Sequence, residues 1–148
     1  MFDLMNRLAR INLLPPAANN NISTTPLVSN VFDVRDLVKG SAVCLITTGA
    51  LTDADAVYSV LVDEGDTGTA GSSTLSDAAA VADADLIGTE VLAAFTFAND
   101  AAVRAIGYRG TKRYIRVTIT PTTTANSGDT PVSIVGLGIA ASIPVANP

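Results

Sequence analysis

The sequence contains no histidine, so the side chain that most often moves protons near neutral pH is missing. Ser–His and Cys–His nucleophile pairs cannot be assembled without it. A Ser–Lys pair would have to recruit Lys39 or Lys112, the only two lysines. One cysteine, Cys44, excludes an intramolecular disulfide framework. It sits in the apolar run 42–46, with no basic neighbour to activate it, and a buried, inert thiol is expected. Zinc has no ligand set here. Tryptophan is absent and aromatics are 5% of residues, so the platforms on which sugars stack are scarce. No apolar run approaches the roughly 20 residues needed to span a bilayer, and no membrane association is expected. Asp3 and Asn6 interrupt the first ten residues, and no secretion signal is expected.

Charge is also scarce. Charged residues are 16% of the chain, against about 25% in an average soluble domain. Hydrophobic residues are 48%, too many for a disordered protein. What charge there is segregates. Residues 41–103 hold ten acids and no Lys or Arg, after which Arg104, Arg109, Lys112, Arg113 and Arg116 follow within thirteen residues. Two readings fit: a solvated surface, or complementary patches that meet between subunits, with Arg109 and Arg116 at the interface. Nucleic acid is disfavoured as a partner, because the net charge is −5 and the basic cluster lacks a row of exposed aromatics.

The acidic segments Asp63-Glu64-Gly65-Asp66 and Asp83-Ala84-Asp85 offer hard oxygen ligands of the kind calcium takes. Neither matches the EF-hand loop, so solvated loops are the expectation, with no metal and no cofactor. The glycine-rich string 65–71 lacks the Gly-Lys-Ser/Thr ending of a phosphate loop. Nothing in these residues composes a catalytic site, and no enzymatic activity is expected.

The chain divides into an extended N-terminal arm (1–30), a body (31–143) and a short tail (144–148). The arm holds Pro15-Pro16, Asn19-Asn20-Asn21 and Thr24-Thr25-Pro26, which favour irregular backbone, after a possible short helix in the first ten residues. In the body, strands are expected at 31–37, 42–47, 56–62, 90–98, 101–108, 112–120 and 131–143. The clearest is 112–120, with Ile115, Val117 and Ile119 on one face and Tyr114, Arg116 and Thr118 on the other. Gly110 supplies the turn before it, free to take positive φ. The run 131–143 is too continuously apolar for an exposed strand and predicts burial, with close backbone approach at Gly136 and Gly138. Segment 76–86 is open between helix and a short strand with a turn. The fold class expected is all-β, a single β-sandwich or jelly-roll domain.

The string Tyr108-Arg109-Gly110-Thr111-Lys112-Arg113-Tyr114-Ile115-Arg116-Val117 resembles a segment of the small auxiliary (decoration or stabilising) capsid proteins of tailed bacteriophages. Similar features accompany it: Val60-Leu61-Val62-Asp63-Glu64 and the turn 83–88 upstream, and Thr130-Pro131-Val132-Ser133-Ile134 downstream. The likeness spans roughly 56–143; the long arm departs from the pattern. It implies a structural virion protein, assembled in the host cytoplasm, that binds the outside of a capsid. The implied partners are the major capsid protein and further copies of the chain, with a trimer favoured. Phe2, Leu4, Met5 and Leu8 of the arm are then the apolar anchors. The Arg-Tyr-Ile-Arg core is also similar to galactose-binding-type sandwiches, which makes a carbohydrate-binding module the alternative. A phage tail or neck component is another.

Overall fold

Strand β10 (Tyr114–Pro121) carries most of the alternation expected of it: Ile115, Val117 and Ile119 are fully buried and Arg116, Thr118 and Thr120 face outward, but Tyr114, expected beside them, is buried against Val31 and Leu75. A computed structural model describes residues 4–16, 22, 25–122 and 128–141 and places β10 at the centre of one of two antiparallel sheets. In its sheet, β10 is flanked by β5 (Val57–Gly65) on one side, and by β2 (Leu27–Val28) and β3 (Phe32–Asp33) on the other. The short strands β6 (Ala79–Ala80) and β8 (Phe95–Thr96) pair with the far edge of β5. The second sheet runs in the order β1 (Leu8–Leu14), β11 (Val132–Ile139), β4 (Ala42–Thr48), β9 (Val103–Tyr108), β7 (Leu86–Ile87). The long strands from β4 onward alternate between sheets, so each connection among β4, β5, β9, β10 and β11 crosses from one layer to the other. The fold is an all-β sandwich. Its core joins Val60, Val62, Val117 and Ile119 of one sheet to Cys44, Ile46, Ile106 and Ile134 of the other.

The glycines of β11 act by close approach. At Gly136 a Cβ would meet the Phe32 ring at 3.0 Å, and at Gly138 it would meet Leu37. The missing side chains let Phe32 and Leu37 settle directly on the strand.

Several expectations are corrected. The arm is not free over its length: after a single helical turn, α1 (Leu4–Arg7), it becomes β1, which pairs with β11 and buries Leu13 in the core. Beyond it, Ser29 and Asn30 are hydrogen-bonded to Val117 and Leu13. The strand expected at 31–37 shrinks to Phe32–Asp33. The strand expected at 90–98 opens as a helical turn, α2 (Glu90–Ala93), because Thr89 Oγ1 caps it by accepting from Leu92 N at 3.2 Å. Segment 76–86 forms β6 and a 3-10 turn at Asp83–Asp85, with Val81 buried between them. The tail at 144–148 lies outside the described residues.

Candidate functional site

The resemblance-bearing string 108–117 turns the chain from β9 into β10, and nearly every side chain in it is engaged within the molecule. Tyr108 lies on the inner face of β9, opposite Ala42. Its hydroxyl donates to Glu64 Oε2 at 2.5 Å and accepts from Lys112 N at 2.9 Å. Because Glu64 belongs to β5, this bond joins the two sheets at one end of the sandwich. Burial, and then the bond to Glu64, push the Tyr108 phenol above the range of a free tyrosine. Gly110 is required for a reason other than the expected positive φ: the Tyr108 ring occupies the place where its Cβ would stand.

The basic residues follow the same rule. Lys112 Nζ lies 2.6 Å from Asp66 Oδ2. The hydrogen bond from Lys112 holds the Asp66 carboxyl below the usual carboxylate range and raises the lysine in return. Arg113 reaches Asp33 Oδ2 through Nε at 3.1 Å and Nη2 at 2.8 Å, and its guanidinium lies 4.5 Å above the Tyr114 ring. Arg116 is the cross-strand neighbour of Asp63 and binds it at 2.8 Å; its Nη1 donates to Ser73 O at 3.0 Å. Arg109 is exposed, and its Nε donates to Ala84 O at 2.7 Å. For Lys112, Arg113 and Arg116, the acidic surface they meet belongs to their own chain. Of the two interface arginines expected from sequence, Arg109 stands at the surface and Arg116 is committed inside.

The carboxylates of segment 63–66 point to separate partners. Asp63 points outward to Arg116, Glu64 inward to Tyr108, and Asp66 to Lys112. Among the described residues, no group of three or more His, Cys, Asp or Glu converges as metal ligands. Cys44 is buried, and desolvation pushes its thiol up to about 12, so the thiolate is out of reach at neutral pH.

A cleft of about 390 Å³ lies between the 34–40 turn and the 110–113 turn. Its cations are Arg35, Lys39, Lys112 and Arg113. Three of these have carboxylate partners in Asp36, Asp66 and Asp33. Among the described residues Lys39 is the cleft cation with no ion pair, and the Asp66 carboxylate in the lining is held by Lys112.

Of the arm's apolar residues, Leu4 and Met5 stand exposed on α1 and Leu8 is half-buried at the start of β1; Phe2 lies outside the described residues. Tyr58, Tyr108, Tyr114, Phe32 and Phe95 are buried and Phe97 is half-buried, so no exposed aromatic platform exists among the described residues. Sequence reasoning missed one large feature. The outward face of the β1–β11–β4–β9 sheet is largely apolar, with Val43, Leu45, Val135, Leu137 and Ile139 half-exposed and Val103 64% exposed. The signal was present in the unbroken apolar runs at 42–46 and 134–139, which suit strands covered on both faces. Comparison with known proteins finds no matching family model, no matching curated protein and no matching solved structure.

Proposed function

We propose that the chain is a non-enzymatic structural protein of a virion, which binds and stabilises the outside of a tailed-phage capsid with the major capsid protein as its partner. The observation that carries this reading is the outward presentation of Leu4 and Met5. They stand 51% and 64% exposed on a helical turn tethered to an edge strand of a rigid sandwich. In water half or more of each side chain stays uncovered. Buried on a partner, each contributes roughly 1.5–3 kcal/mol before ordering costs. One such contact is weak, but a shell repeats it by symmetry, and further copies of the chain multiply it. The likeness of 108–117 to auxiliary capsid proteins points to the partner. Among the described residues no exposed aromatic adds to the carbohydrate-binding alternative.

The test is co-sedimentation with empty capsids of the phage that encodes the chain. The wild type is expected to pellet with capsids. A Leu4→Ser, Met5→Ser double variant, which leaves β1 intact, is expected to bind roughly tenfold or more weakly. A wild type that stays in the supernatant contradicts the proposal. Equal binding by the variant removes Leu4 and Met5 from it.

A further inference from the structure

The two outer faces of the sandwich differ in kind. On the β10–β5 sheet, the outward positions are Arg116, Thr118 and Thr120 opposite Asp63, Leu61 and Ser59, a mixed and mostly polar set. On the other sheet, register places Val43, Leu45 and Thr47 of β4 beside Leu137, Val135 and Ser133 of β11, with Ala105 and Val103 of β9 flanking them. Leu8, Arg10 and Asn12 of β1 extend the same face past Ile139 and Leu137. Among the strand residues that alternate onto this face, Arg10 alone is charged, and it lies on the edge strand. The central residues are not among those packed against the core.

We infer that this face is the contact between two copies of the chain, joined face to face across a two-fold axis. Three observations select a second copy as the occupant. First, the face has no charge at its centre, so a charged partner surface would be desolvated without compensation, whereas an identical face meets it apolar to apolar. Second, an isologous contact needs only one such patch, and this chain supplies it. Two identical sheets also carry the same twist, the condition under which sheets stack at about −30°. Third, the size fits. Four strands about 4.8 Å apart and about seven residues long cover on the order of 500 Å² per copy. A pair therefore buries on the order of 1,000 Å², where specific interfaces begin. The contact pairs copies two by two, where the resemblance implies a trimer. It stands whether or not the chain binds a capsid.

The test uses the full chain. Sedimentation velocity at micromolar concentration is expected to give a dimer. Leu137→Asp is expected to weaken it at least 100-fold while the far-ultraviolet spectrum stays that of a β protein. Because a face substitution could disturb the sheet, a milder variant supplies a second readout. Val135→Cys, at the centre of the face, is expected to cross-link between copies on oxidation, while Thr118→Cys on the opposite sheet is not. A wild type that remains monomeric at 100 μM overturns the inference, as does a dimer that Leu137→Asp leaves intact. So does a monomer whose Val135→Cys thiol is shielded from reagent, which would make the chain's own residues 142–148 the cover.

Discussion

Arg116 and Asp63 face each other across β10 and β5 with side chains 18% and 11% exposed. At that depth a charge left without its partner is costly. Arg116→Ala should therefore destabilise the fold by about 2–4 kcal/mol, between the loss of one charged hydrogen bond and the breaking of a buried pair. Removing both partners should cost less than the two single losses combined, since no lone charge then remains. A urea-denaturation cycle over Asp63→Ala, Arg116→Ala and the double variant measures this, and simple additivity would refute it. The outward position of Arg116 was legible in the alternation of 112–120. Its partner was not, because Asp63 lies more than fifty residues upstream and only the β5–β10 register joins them. The same holds for Tyr108 with Glu64 and Arg113 with Asp33. A local pattern gives the face on which a residue lies; the residue across from it depends on non-local pairing.

At the scale of elements, the long strands were readable because period-two alternation or sustained apolar runs persist over six or more residues. The short ones were not. At 90–98 the β-branched and aromatic residues imitate a strand, while the Thr89 cap and one buried alanine, Ala93, decide for a helical turn. β1 was hidden by the Pro15-Pro16 pair behind it and by its irregular burial, which a bulge between Asn12 and Leu14 explains. Its membership in the sheet changes what truncation should do. Deleting residues 1–20 uncovers β11 and empties the Leu13 position, for which a cavity alone costs about 2–5 kcal/mol. The truncated chain should melt well below the intact one or aggregate, whereas deletion of 1–7 should leave the melting temperature nearly unchanged. A stable sandwich lacking 1–20 would show that β1 is dispensable. The loop from β5 to β6 offers a second test. Asp77 accepts from the amides of Asp66 and Thr67, both at 2.9 Å, and these bonds hold its carboxyl below the usual carboxylate range. A depressed folded value means the contribution is present above the ordinary carboxylate pKa and is lost as pH falls through the depressed one. The Thr67 amide resonance should therefore titrate with a midpoint below the ~3.9 of a free aspartate, and Asp77→Asn should abolish that transition. A midpoint at or above the free value contradicts the bond.

The whole molecule joins a charged, internally paired end to an apolar outer sheet face and an exposed helical turn. Lys112, Arg113 and Arg116, which look available in sequence, are paired with carboxylates of their own chain. The apolar surfaces left for other molecules include Leu4 and Met5 on α1, Val91 and Leu92 on α2, and the face of Val43, Leu45, Val135 and Leu137. That division fits the proposed attachment role, in which weak contacts are repeated by symmetry. Binding to a shell should then depend little on salt, since charge screening weakens ionic contacts and leaves apolar ones largely untouched. The most direct measurement is the saturation of empty capsids with the intact chain, followed by sedimentation and counting of bound copies at low and high salt. The prediction is a fixed plateau, set by the number of symmetry-equivalent sites on the shell and nearly the same at both salt concentrations. No co-sedimentation, or binding that rises without a plateau, would contradict the account.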